Sequence, residues 1–224
     1  MNRSKHILLL VIEMVLWSSY GYCQKDKISN CGYYSKDLKS LKQNFDRNSK
    51  FLGLKTGDVV ASVGAGNGSI EIQTSSFIDS LHWTLQDINA DCLNRANVEN
   101  MILHHESLIN KTIKATFEIV IGEQTKTNLA REAFDRLLLI NVYHELVYKN
   151  KILDDIRGAL RPTGLLVVME RMANKRGETH GDCGHPRLVE QDLVAEMKNA
   201  GFEMVSKQKP DKKLPTTFYT FKKI

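Results

Sequence analysis

Val60-Ala61-Ser62-Val63 runs straight into Gly64-Ala65-Gly66-Asn67-Gly68. Three alternate positions of that turn carry no side chain, so a ligand can approach the backbone closely. In open parallel sheets ligands bind at the carboxyl ends of the strands, where the first strand–helix turn sits. Asp87 follows about 20 residues on, at the end of a second apolar run, the place from which a carboxylate accepts both hydroxyls of a ribose. A nucleotide-bearing ligand is the class this pattern fits. The dinucleotide version of the turn needs Gly or Ala at position 69, where this chain has Ser69. A nicotinamide oxidoreductase therefore fails on that residue, and no pair of groups for hydride chemistry stands nearby.

Two further groups carry chemistry. His144, flanked by Tyr143 and Glu145, follows the fourth apolar run, and histidine is the side chain that titrates near neutral pH. It is read either as a general base toward an acceptor or as a pocket wall that caps the following loop. Gly177-Glu178-Thr179-His180-Gly181-Asp182-Cys183-Gly184-His185 offers His180, Cys183 and His185 as three ligands. Their order is not a standard zinc spacing, and the glycines suggest a mobile loop. It is read as a wall or lid of the acceptor pocket, with no metal assigned. Cys23 and Cys31 are placed to pair in an exported protein, while Cys92 reads as a small core residue.

These groups need elements to hold them. Asp58–Val63 reads as a buried strand and Ser69–Asp79 as the helix after the glycine turn. Leu81–Gln86 is a second strand, Ala90–Asn100 a helix, and Phe117–Ile121 a third strand. Asp135–Ile140, apolar at Leu137 through Ile140, reads as a strand covered on both faces. Lys149–Leu160 places Ile152, Leu153, Ile156, Ala159 and Leu160 on one helical stripe and stops at Arg161-Pro162-Thr163-Gly164. Leu165–Met169 is a fifth strand and Val189–Ala200 a helix. Phe202–Val205 and Thr217–Phe221 form a terminal hairpin pair. Strand and helix in alternation mean an α/β fold, a parallel sheet with helices on both faces.

The 224 residues, 42% hydrophobic and 25% charged, suit a soluble globular protein able to bury a core. Disorder, a collagen-like fibre and a multi-span membrane protein are excluded. Four cysteines are too few for a disulfide scaffold. Thirty-one basic against 26 acidic residues leave a net charge of +5, scattered except for a small cluster near the C-terminus, so no nucleic-acid partner is expected. Arg3, Lys5 and His6 precede the apolar run Ile7–Trp17, with small Ser19 and Gly21 behind it. This pattern describes a secretory signal over 1–21, too short to span a membrane stably. A helix packed on the domain is the other reading of that segment. Residues 22–50 are then an N-terminal extension and 51–224 the domain. The protein is expected in the periplasm or secreted if the signal is cleaved, and in the cytoplasm otherwise.

Four stretches taken together resemble the successive motifs of class I S-adenosylmethionine-dependent methyltransferases, over about Leu54 to Phe221. They are Val60–Gly68, Gln86-Asp87-Ile88, Phe134-Asp135-Arg136-Leu137-Leu138-Leu139-Ile140-Asn141-Val142-Tyr143-His144-Glu145, and Leu160–Val168. The cast after the fourth strand is similar to a bacterial small-molecule type. The resemblance implies a Rossmann-like, doubly wound, seven-stranded sheet, mostly parallel with an antiparallel last strand. It implies S-adenosylmethionine as cofactor and a small-molecule acceptor. Gly64, Gly66 and Gly68 then border the methionine moiety and Asp87 holds the ribose; Ala65, Ile88 and Asn141 complete the cofactor set, and His144 with Tyr143 stands on the catalytic side. Two positions depart from the family. Ser62 replaces the Asp or Glu that usually fixes the amino end of the cofactor. After the third strand, Gly122 is followed by Glu123 and Gln124 where an acid often faces the adenine amino group. Those departures raise an alternative, an exported, non-catalytic ligand-binding protein that keeps the fold.

Overall fold

Successive residues of the central strands meet two different cores. In the computed structural model, which describes residue 31 and residues 34–224, Val60, Leu138, Ile140, Val167 and Met169 pack with Ile72, Trp83, Leu85 and Met101. Their neighbours Ala61, Val63, Leu137, Leu139, Leu166 and Val168 pack on the opposite face with Ile152, Leu153, Ile156, Leu193 and Met197. Period-two alternation with apolar residues at both phases is what a sheet covered on both sides requires.

The strands are β1 Val59–Val63, β2 His82–Asp87, β3 Thr116–Ile121, β4 Phe134–Ile140, β5 Leu160–Arg171, β6 Phe202–Gln208 and β7 Thr216–Lys223. They form one seven-stranded sheet in the order β3-β2-β1-β4-β5-β7-β6. Strands β1 to β5 pair in parallel, and only β7 runs against its neighbours β5 and β6. The helices are α1 Leu38–Arg47, α2 Ser69–Ser75, α3 Arg95–Ile109, α4 Lys149–Ala159 and α5 Glu190–Asn199. The strand order reverses between β1 and β4, with β2 and β3 laid to one side and β4 and β5 to the other, so the crevice beyond their carboxyl ends is the switch point at which such sheets bind ligands. The glycine turn and residues 141–145 both lie there.

Residues 34–224 form one compact unit, so α1 packs within it and buries Leu41. The expected signal over 1–21 and the pairing of Cys23 lie outside the described residues. Among the described residues no helix is long and apolar enough to cross a membrane.

Some element boundaries differ from expectation: the helix expected over Ser69–Asp79 ends at Ser75, and the strand expected over Phe202–Val205 runs on to Gln208. The helix expected over Ala90–Asn100 begins at Arg95 and continues to Ile109. Asn89 Oδ1 accepts from the Asp91 and Cys92 amides, and Asn94 caps the helix by accepting from Asn97 N. Side-chain acceptors of this kind draw the backbone into turns ahead of a helix. Cys92 lies in that turn and is disulfide-bonded, rather than being a plain core residue. Strand β5 also differs and starts at Leu160 because Leu160 already pairs with Phe134, across an irregularity before Arg136.

Candidate functional site

Gly64, Gly66 and Gly68 adopt φ values of 73°, 58° and 76°, the left-handed region that costs a residue with a Cβ. Space adds to the requirement. A Cβ on Gly64 would collide with Val142 Cγ2, and one on Gly68 would approach Leu85 Cδ1 at 2.8 Å. The turn is fastened to β2: Gly64 N and Ala65 N both donate to the carbonyl of Gln86. Gly66 N donates to Asp87 Oδ2 at 2.8 Å, and Asn89 N to Asp87 Oδ1 at 2.9 Å. Asp87 is thereby fixed beside the turn and half-buried, with acceptor capacity left, since a carboxylate offers about four lone-pair sites. Ile88 next to it is 55% exposed, a large apolar side chain turned outward at the ligand end of the sheet.

The turn after β3 stands against the same tip. Gly122 N donates to Asp87 O at 3.0 Å, and a side chain on Gly122 would strike Gln86 Nε2. Glu123 and Gln124 follow on a tight turn closed by the Glu123–Lys126 bridge, and both are exposed.

Ser62 is not alone. Its hydroxyl donates to Glu71 Oε1 at 2.5 Å, and Glu71, on the first turn of α2, is 2% exposed. Burial pushes the Glu71 carboxyl up to about 7, with the Ser62 bond working against it and the Asp87 charge adding to it. Glu71 Oε2 is buried without a hydrogen-bond partner among the described residues. A carboxylate thus reaches the end of β1 from the helix, at the position where the strand itself supplies only a serine. Sequence reading missed this residue. The one available signal was an acid between Ile70 and Ile72 in a helix with almost no charged face.

At the tip of β4, Asn141 holds φ 53°. Its amide donates to Met169 O at 2.7 Å, and its Oδ1 is buried without a partner among the described residues. A strained, unpartnered polar residue beside a cleft is a mark of a binding site. Val142 then seats on Gly64, which joins the β4 tip to the glycine turn. Tyr143 is fully buried, its hydroxyl donating to Glu196 Oε2 at 2.6 Å, and Lys149 Nζ lies 3.1 Å from the same oxygen. Burial and the Glu196 carboxylate push the phenol far above its ordinary range, so Tyr143 anchors the tip to α5.

His144 is buried as well, its side chain 1% exposed. Its Nδ1 lies 3.0 Å from Glu170 Oε2 near the end of β5, and its amide donates to Glu170 Oε1. Burial opposes a charge on the ring, but the Glu170 hydrogen bond and charge outweigh it and hold the imidazole pKa at about 9. Nε2 looks toward the loop, 3.5 Å from Cys183 Sγ. His180 stacks on the His144 ring at 3.8 Å and 11°; burial and the His144 charge lower its own pKa. The loop is knit rather than loose: His180 N donates to His185 O, Gly184 N to His180 O and Arg187 N to Glu178 O. His185 stands off, edge-on to His144 at 6.2 Å.

No family model and no curated relative matches this chain. Solved structures do. An S-adenosylmethionine-dependent methyltransferase from Aquifex aeolicus is 17% identical with a TM-score of 0.59, over 84% of this chain and 98% of that one. Another such enzyme, from Methanosarcina mazei, is 16% identical with a TM-score of 0.62, over 79% and 97% of the two chains. The chain has the class I S-adenosylmethionine-dependent methyltransferase fold. The chain is also similar to the [4+2]-cyclase SpnF, 17% identical with a TM-score of 0.58 over 79% of this chain and 64% of that one. Fold alone therefore does not fix the reaction.

Proposed function

We propose that this protein binds S-adenosylmethionine at the β1–β4 switch point and transfers its methyl group to a small-molecule acceptor. The observation that carries the reading is the acid-flanked glycine turn: three left-handed glycines, Asp87 bonded to Gly66 N on one side, and Glu71 on Ser62 at the other. In this reading Gly64, Ala65, Gly66 and Gly68 border the methionine moiety. Asp87 and Ile88 take the ribose, Glu123 and Gln124 stand on the adenine side, and Glu71 with Asn141 serves the amino end. The non-catalytic alternative rests on Ser62, on the turn after β3 without a matching acid, and on export; Glu71, bonded to Ser62, answers the first of these.

Methyl transfer from a sulfonium is an in-line displacement, so alignment of acceptor and methyl supplies up to roughly 7–11 kcal/mol of the acceleration. What the chain must do is hold the acceptor and shed water. A ring protonated to about pH 9 is a poor base near neutrality and a good hydrogen-bond donor. His144 is therefore assigned to the acceptor side of the cleft rather than to proton abstraction, oriented by Glu170, with the loop from Gly177 to His185 as the pocket wall. Calorimetric titration with S-adenosylmethionine, S-adenosylhomocysteine and NAD tests the cofactor assignment; binding of NAD alone would overturn it. Release of S-adenosylhomocysteine across small thiols, phenols and amines tests transfer. Tight cofactor binding with silence in that screen would return the non-catalytic reading.

For the N-terminal segment we propose export with cleavage after Gly21. The disulfide at Cys92 suits an oxidising compartment. Intact-mass measurement of native protein is expected to find a chain beginning near Tyr22, and an intact Met1 terminus would refute export.

A further inference from the structure

We propose that His144, His180 and Cys183 form a site for one divalent cation of the zinc type. Among the described residues their ligand atoms, one from each side chain, all lie within 4.8 Å of one another. Two imidazoles and a thiolate make a borderline-soft donor set of the kind that selects zinc.

Three separate features prepare these side chains for a metal. His180 is 1% exposed, yet neither ring nitrogen has a hydrogen-bond partner among the described residues. Buried polar groups are nearly always paired, so an unpaired ring with a nitrogen within 4.8 Å of two other donors points to a missing ligand. His144 donates Nδ1–H to Glu170, itself 1% exposed. That contact fixes the ring and leaves Nε2 as the coordinating atom, the carboxylate–histidine–metal arrangement. Cys183 is a free thiol with Sγ 3.5 Å from that same Nε2.

Binding requires a small closure. Zinc bonds of about 2.0–2.3 Å set tetrahedral donors roughly 3.4–3.8 Å apart, so the loop must draw in by about 1 Å. The His144 and His180 rings must tilt out of their 11° stack so that both lone pairs converge. Gly181 and Gly184, with nothing near where a Cβ would sit, give the turn room for this. Three protein donors leave a fourth position, the pattern of a site that exchanges a ligand. Glu145, half exposed, brings Oε1 to 3.6 Å from His144 Nε2. The third donor is far upstream in the chain, which is why the loop's own spacing did not reveal the site.

The full chain, stripped of metal, is titrated with cobalt(II) and then with zinc. One equivalent of cobalt is expected to give tetrahedral d–d bands and a thiolate-to-cobalt charge-transfer band, displaced by zinc. Cys183→Ser should abolish the charge-transfer band, and His180→Ala should weaken cobalt binding. Glu170→Gln, which keeps all three donors, should weaken it about 10–100-fold. Zinc should raise the melting temperature of the wild type and leave that of Cys183→Ser unmoved; this variant is an exposed substitution whose circular dichroism checks folding. A wild-type protein without the charge-transfer band, or a band that survives in Cys183→Ser, would overturn the site. The readout does not pass through methyl transfer: a chain that took the cation but no S-adenosylmethionine would sink the functional reading and leave this one standing.

Discussion

At the glycine turn the structure is largely backbone, fastened to the tip of the next strand: Gly66 N on Asp87, Gly64 N and Ala65 N on Gln86 O. At the tips of β4 and β5 it is made of side chains drawn from three places, His144, Glu170 and the loop with His180 and Cys183. The first region is specified by what is absent, since a Cβ at Gly64 or Gly68 has no room. The second is specified by what is present and paired. A backbone site reads the shared part of a cofactor and leaves little to vary. A side-chain cluster can be exchanged residue by residue, and the proposed acceptor and cation roles both fall on that end.

If that contrast is right, substitutions at the two ends should fail differently. His144→Gln should lower turnover about 10²–10³-fold, the scale for losing one placed donor, while leaving S-adenosylmethionine affinity within about two-fold by calorimetry. An equal loss of cofactor affinity would merge the two regions into one. Asp87→Ala should act the opposite way. Charge-assisted hydrogen bonds contribute about 1.5–3 kcal/mol each, so cofactor affinity should fall roughly 10²-fold in a folded protein; unchanged affinity would remove Asp87 from the site.

Glu71→Gln sharpens the comparison within the cofactor end. The folded-state pKa of Glu71 is raised from an ordinary 4.5 to about 7, so the folded protein holds this proton where the unfolded chain has lost it. Stability from this group is full below about pH 4.5 and is lost as pH rises to 7, by about 3 kcal/mol at most. Glutamine should erase that loss, giving higher denaturation midpoints at pH 8 and little change at pH 4.5, together with cofactor binding weakened about tenfold, near 1.4 kcal/mol. Wild-type midpoints flat from pH 4.5 to 8 would count against the buried carboxylate. The smallest effect belongs to Tyr143→Phe. It removes the bond to Glu196 and should cost about 1 kcal/mol of stability with cofactor affinity untouched. A large drop in turnover there would place Tyr143 in the chemistry after all.

Much of the glycine-turn geometry was legible from residues alone. A strand into Gly-x-Gly-x-Gly with an acid about 20 residues later is local information, because the turn and the two strand tips lie close along the chain. The alternating apolar phases of β1, β4 and β5 likewise announce a sheet covered on both faces. Helix boundaries were less legible where Asn89 and Asn94 diverted the backbone into turns, since such bonds depend on side-chain direction rather than composition.

The sequence by itself determined the α/β alternation, the placing of the glycine turn after β1, and Asp87 and Ile88 at the end of β2. Each follows from steric and periodic rules that act over a few residues. Only the tertiary structure decided that Glu71 returns a carboxylate to Ser62, that Tyr143 turns into the core while His144 turns to Glu170, and that His180 and Cys183 arrive beside it. Those meetings join residues on different elements. They are fixed by strand order and packing of whole layers, and no spacing along the chain encodes a distance across it.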